Sequence, residues 1–223
     1  MQKITIDIVS DVMCPWCYVG KRRLETAIAA RPDIEFDIRW RPFQLDSTIP
    51  PEGVDRKAYL KKKFGDNAGG EMYDNLKLAG EAEGIPFAFS DIELSPNTLN
   101  SHRLIKWAAT ANVQDDVVEA LFKGYFTQGG NLAKKSYLGD VAEKAGMERD
   151  VVDRLLSGDA DMEMVREEIA LAQRMGVTGV PCFILDNKLV VMGAQESSVL
   201  MQAIDQVLTM EDETTDSQPN PEN

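Results

Sequence analysis

Cys14 and Cys17 are separated by Pro15 and Trp16, in a stretch from Ser10 to Gly20 that reads Ser-Asp-Val-Met-Cys-Pro-Trp-Cys-Tyr-Val-Gly. Two thiols at this spacing can close a disulfide across the first turn of a helix, or they can ligate a metal. The flanking residues favour the first. Lys3 to Val9 alternates branched apolar residues with Thr and Asp, a strand pattern, and Lys21 to Ala30 is charged and alanine-rich with Leu24, Ala27 and Ile28 at helical spacing. The pair therefore falls at a strand-to-helix junction, where Pro15 suits the first helical position because no backbone donor is needed there. Unpaired N–H groups and the helix dipole at such a terminus favour negative charge. A thiolate is both the attacking and the leaving species in disulfide exchange. Cys14 is thus the expected nucleophile, and Cys17, one turn in and better shielded, the expected resolving thiol.

Other residues could support that chemistry. An acid beneath the buried cysteine could relay its proton. Asp7, within the strand pattern, is the better candidate; Asp11 reads more readily as a solvent-facing or capping carboxylate. His102 is the single histidine. With Asn97 five residues earlier it could face the thiols from a helix, against a plainer reading as a satisfied histidine. Cys182 follows Pro181 in an apolar run and reads as a small buried hydrophobe. Three cysteines and His102 also meet the ligand arithmetic of a Cys₃His zinc site. Structural zinc pairs, however, sit on knuckles or turns rather than at a Pro-Trp helix start, so no metal is expected.

The rest of the chain must position these groups. Ile34 to Arg41 alternates as a second strand after the break at Arg31-Pro32-Asp33. Strand, helix and strand with a helical crossover should place the two strands parallel. Beyond Pro50, Pro51 and Gly53 the pattern is helical through residue 175, apart from an irregular stretch at 85–96 that holds Pro86 and Pro96, with buried stripes at Leu104, Ile105, Trp107 and Ala108 and at Val118, Leu121, Phe122, Tyr125 and Phe126. Residues 181–185 and 189–192 read as a hairpin around Asp186-Asn187-Lys188. A final helix should turn Val199, Ala203, Ile204, Val207 and Leu208 inward. The expected organisation is an α/β domain from residues 1–50 and 160–210, interrupted by a helical insertion at 51–159 that packs as a lid, with an acidic disordered tail at 211–223.

Composition narrows the function. The chain has 223 residues, 43% of them hydrophobic, enough for an ordinary core. No apolar run approaches the ~20 residues of a membrane span, and no leader pattern precedes the first strand. The net charge of −13, of which five charges lie in the tail, lacks the basic footprint of nucleic-acid binding. A soluble cytoplasmic protein is expected, where a cysteine pair is more often catalytic than structural.

Cys14 to Gly20, Asn97-Thr98, His102-Arg103-Leu104, Gly124-Tyr125-Phe126 and Gly176-Val177-Thr178-Gly179-Val180-Pro181 together resemble the DsbA-like thioredoxin family, and within it the FrnE-like subgroup. The resemblance spans about residues 3 to 209. It implies a thioredoxin-like fold with an inserted helical domain and a dithiol–disulfide oxidoreductase acting on thiol- or disulfide-containing proteins or small molecules. It also implies a cis proline at Pro181 facing the cysteine pair. Such a turn would expose the Val180 backbone to pair with a substrate strand. No cofactor beyond the redox pair is implied, with glutathione a candidate co-substrate. Relatives in this family bind glutathione as kappa-class transferases or hydroxychromene-carboxylate isomerases, with serine in place of the first cysteine. Cys14 departs from that pattern. A chaperone-like peptide-binding module, using a groove between core and lid, is a further alternative.

Overall fold

The structure, a computed structural model, describes residues 2–65 and 71–216. Strand β1 (Gln2–Ser10) leads through helix α1 (Pro15–Ala29) to β2 (Ile34–Pro42). The return comes much later, as β5 (Cys182–Leu185), β6 (Leu189–Met192) and helix α9 (Ser197–Asp216). These strands form one sheet in the order β2-β1-β5-β6. β1 and β2 are parallel, as a helical crossover requires, whereas β5 runs antiparallel to both β1 and β6. This is a thioredoxin-like α/β fold with a helical region inserted between β2 and β5.

The insertion begins with β3 (Val54–Asp55) and α2 (Arg56–Phe64), then α3 (Glu71–Ala82), a 3-10 turn at Phe89–Asp91 and β4 (Leu94–Ser95). It continues with α4 (Leu99–Thr110), α5 (Gln114–Gln128), α6 (Lys135–Lys144), α7 (Arg149–Ser157) and α8 (Met162–Arg174). The stretch expected to be irregular, 85–96, holds that 3-10 turn and the two-residue ladder of β4 with β3. Strands this short carry too little periodicity to be read from sequence.

Strand alternation divides the apolar residues between two clusters. Ile4, Ile6 and Ile8 of β1 share the main cluster with Cys14, Cys17, α1 and α9, and this cluster continues into the helical region through Leu104, Phe122 and Phe126. Val9 and Cys182, on the other face, pack with Phe43, Ala172 of α8 and Val177. Tyr18 of α1 stacks on Phe122 of α5 with ring centroids 5.2 Å apart. Its hydroxyl donates to Glu119 at 3.0 Å. Lys21, almost fully buried, ion-pairs with Asp115 and Glu119 of α5 at 3.1 and 3.3 Å. These contacts fix the start of α1, and hence the cysteines, against the insertion.

Two expectations need correction. Val199 is exposed rather than inward, because the buried stripe of α9 begins at Leu200 and continues through Ala203, Ile204, Val207 and Leu208. The segment expected as a disordered tail from 211 is helical as far as Asp216, since Glu-Asp-Glu-Thr-Thr-Asp after Met210 holds no glycine or proline to break a helix already formed; residues 217–223 lie outside the described residues.

Candidate active site

Cys14 is the N-cap of α1, in an extended conformation (φ −92°, ψ 110°), and Pro15 occupies the first turn. The Cys14 N–H donates to the Asp11 carbonyl at 2.9 Å, and the Cys17 N–H donates to the Cys14 carbonyl at 3.0 Å. This tight entry sets both thiols at the positive end of the helix. Both are free thiols. Cys14 retains 5% exposure and Cys17 1%, so only the first is reachable from solvent. Burial pushes the Cys17 thiol well above its ordinary value, and the neighbouring Cys14 adds to this. The Ser10 side chain and the Asp11 backbone act in the opposite sense.

The Val180–Pro181 peptide is cis. It lies against the pair: Cys14 Sγ is 3.6 Å from the Val180 carbonyl oxygen, which accepts from it. A Cβ placed on Gly20 would stand 2.9 Å from Pro181 Cγ. The glycine one turn after Cys17 is thus what allows α1 to approach the turn. Trp16 and Val180 are half-buried beside it. Pro181 accepts the Gly193 N–H at 2.8 Å through its carbonyl, which anchors the turn to the end of β6.

The two acids exchange places relative to expectation. Asp7 does not reach the thiols. It lies on the odd-numbered face of β1, opposite the isoleucines that pack with Cys14 and Cys17, and pairs with Arg41 at 2.5 Å. Asp11 is fully buried at the site. One carboxylate oxygen accepts the Leu45 N–H at 2.8 Å, and the other lies 3.4 Å from the Met13 nitrogen and 3.5 Å from His102 Nε2. His102 is buried on α4 and does face the site. Asn97 does not touch the thiols. It accepts from the Leu99 N–H and from Gln44, and donates to the Ile49 carbonyl at 2.6 Å, tying the loop after β2 to the start of α4. Cys182 is separated from the pair by the sheet, and burial raises its thiol as well.

Two residues of the site were not candidates in the sequence. Ser10 shares the parity of Ile4, Ile6 and Ile8 and so points to the thiol side of the sheet, a signal that was legible. Gly20 interrupts a helical pattern, where a glycine costs ~1 kcal/mol relative to alanine and so suggests a packing reason. Among the described residues no three His, Cys, Asp or Glu side chains are grouped to hold a metal, and no helix is long and apolar enough to cross a membrane.

A cysteine pair at a helix start, one thiol buried, beside a cis-proline turn on a thioredoxin-like sheet defines a thioredoxin-fold protein of the disulfide-exchange type. The model of the DSBA-like thioredoxin domain matches residues 5–205, and the chain belongs to that family, one of thiol–disulfide oxidoreductases. A probable DsbA oxidoreductase from Streptomyces coelicolor superposes with a TM-score of 0.85 at 29% identity, over 99% of this chain and 93% of its own. The uncharacterized protein YwbO of Bacillus subtilis is 24% identical over 202 residues, 90% of this chain and 96% of that protein. The fold is also that of the cytosolic disulfide reductase DsbM from Pseudomonas aeruginosa, solved with GSH, with a TM-score of 0.61 at 18% identity over 95% of this chain and 99% of that one.

Proposed function

We propose that the protein is a cytoplasmic dithiol–disulfide oxidoreductase of the FrnE-like subgroup, with Cys14 as nucleophile and Cys17 as resolving thiol. The observation that carries this is the unequal burial of the two thiols at one helix start, with the Val180 carbonyl against the more accessible one. In the reducing direction, the Cys14 thiolate attacks a substrate disulfide, forming a mixed disulfide and releasing one substrate thiolate. Cys17 then loses its proton and attacks the Cys14 sulfur, which expels the second substrate thiolate and leaves the Cys14–Cys17 disulfide. The oxidising direction is the reverse sequence. The half-buried Val180 offers a backbone edge to an extended substrate. DsbM, solved with GSH, makes glutathione a reasonable small-molecule partner.

Trapping tests this assignment. Cys17→Ser should accumulate a mixed disulfide on Cys14, and Cys14→Ser should abolish exchange. Adducts found on Cys182 instead would overturn it. Turnover of a small electrophile with glutathione that survives Cys17→Ser would assign the site to glutathione transfer or isomerisation.

A further inference from the structure

Arg23 lies on α1, one turn beyond Gly20, and is more than nine-tenths buried. A buried guanidinium is costly unless it is paired and hydrogen-bonded. Arg23 meets that demand with all three of its nitrogens. Nε donates to the Glu83 carboxylate, just past the end of α3, at 2.9 Å. One terminal nitrogen donates to the Ala194 carbonyl at 2.7 Å, and the other pairs with Glu196 at 2.6 Å. Ala194 and Glu196 belong to the loop between β6 and α9. The same loop supplies the Gly193 N–H, which donates to the Pro181 carbonyl at 2.8 Å. The residue before Pro181 is Val180, whose carbonyl oxygen stands 3.6 Å from Cys14 Sγ. A closed circuit thus runs from the helix that starts at the thiols, through a guanidinium, a loop and the cis turn, and back to Cys14. Every link in it is a hydrogen bond, an ion pair or the chain itself.

We propose that Arg23 is a positioning residue of the exchange reaction: by way of Ala194 and Gly193 it holds the Val180–Pro181 turn, and with it the Val180 backbone edge, in place beside Cys14. The proposal rests on the exchange chemistry described above and adds a residue which that chemistry leaves unassigned. Arg23 makes and breaks no bond with the substrate. Its part is mechanical. β6 is the edge strand of the sheet, so no further strand braces the loop that follows it. Arginine suits the task because its donors are fixed in one plane, and anchoring three nitrogens fixes that plane. Glu83 and Glu196 set the orientation of the guanidinium, and the remaining donor then sets the Ala194 carbonyl. Glu83 also makes the seating of the turn depend on the helical insertion, since α3 belongs to it. A lysine has a single nitrogen at the end of a flexible stem and cannot hold three such partners at once.

The test compares two disulfides in single-turnover reaction with the reduced full-length protein. One is the symmetric disulfide of an uncharged, blocked hexapeptide bearing one cysteine, which can lie along the Val180 edge. The other is 2-hydroxyethyl disulfide, which has no backbone to pair. Rapid quench and mass spectrometry give a second-order rate constant for each. Arg23→Gln should lower the constant for the small disulfide about tenfold, the effect of a turn displaced by a fraction of an ångström. The constant for the peptide should fall about fivefold further, the weight of one lost backbone hydrogen bond. Arg23→Lys keeps the charge but not the fork, and it should move the ratio of the two constants in the same direction. Circular dichroism establishes that each variant is folded, and Arg23→Lys carries the test if Arg23→Gln does not fold. Lower stability alone scales both constants by the same factor. A ratio that stays at the parent value in a folded variant would therefore overturn the positioning role, as would parent constants for both disulfides. A parent protein that reacts with neither disulfide would instead overturn the exchange chemistry, and the positioning role with it.

Discussion

Replacing Gly20 by alanine adds one methyl group where α1 and the Val180–Pro181 turn come closest. The new Cβ would stand 2.9 Å from Pro181 Cγ, 3.1 Å from Phe183 Cζ and 3.6 Å from Ala194 Cβ. None of these can step aside cheaply. The proline ring has no free torsion, and Phe183 is fully buried. Ala194 belongs to the loop whose carbonyl receives Arg23 of α1 at 2.7 Å. Two effects oppose each other. Alanine is favoured over glycine in a helix interior by ~1 kcal/mol, while overpacking a filled site costs ~1–3 kcal/mol. The net is a destabilisation of about 1 kcal/mol, or about 2–4 °C in Tm for a chain of this size. Function should suffer more than stability. The methyl group pushes the turn that holds the Val180 carbonyl 3.6 Å from Cys14 Sγ. Misplacement by 1 Å can cost ~10²-fold in rate, so a shift of a few tenths of an ångström should slow exchange by on the order of tenfold. Thermal melting by circular dichroism and the rate with a small disulfide read the two effects separately. A higher Tm with an unchanged rate, the behaviour of an unhindered helical glycine, would refute the close-approach argument.

Other perturbations probe the same framework. Because the Cys17 thiol is raised by burial, the reduced protein holds that proton more tightly folded than unfolded. The resulting stability is full below the ordinary thiol value of roughly 8.5 and is lost as pH rises above it. The urea midpoint of the reduced protein should thus fall on raising the pH from about 8 to about 10 across that value, and less so in Cys17→Ala; equal slopes would contradict the burial argument. Arg103, fully buried on α4, donates to the carbonyls of Leu155, Gly158 and Ala160 at 2.6, 2.8 and 2.7 Å. Arg103→Lys cannot reproduce the planar fork and should cost about 2 kcal/mol or more, since each orphaned carbonyl costs ~1–3 kcal/mol; a loss in Tm within error would show that water replaces it. Deleting Glu211 to Asn223 should leave Tm within error, since Leu208 is the last buried apolar residue described in α9.

The parts of the fold that sequence reveals are those with a long period. β1 and β2 alternate over nine residues each, and α4 and α5 carry buried apolar residues at helical spacing, so their type and buried face could be read directly. The parallel pairing followed from the helical crossover alone. What stayed hidden is set by contacts distant in sequence. The β3–β4 ladder joins residues about 40 apart through two residues on each side. The inward turn of α9 starts one residue later than its apolar pattern suggests because Val199 meets solvent beside β6 rather than the core.

The candidate site divides in the same way. The cysteines were legible because their chemistry needs a fixed local spacing, and Pro181 because its Gly-Val-Pro junction between a helix and a returning strand matches the family that the chain resembles. The acids were not, because proximity to a thiol depends on the face of the sheet. Asp7 and Ser10 differ by an odd number of residues in one strand, so they must point to opposite faces. The isoleucines at 4, 6 and 8 already mark which face is the core. That parity, applied before any acid was chosen, excludes Asp7 and selects Ser10, and no structure is needed for the step. Asp11 is different. It lies beyond the strand end, where parity lapses, and its burial depends on the Leu45 N–H returning from the loop after β2. A residue whose environment is made by a segment 34 positions away cannot be placed by local pattern, and it is this segment that holds the carboxylate against His102.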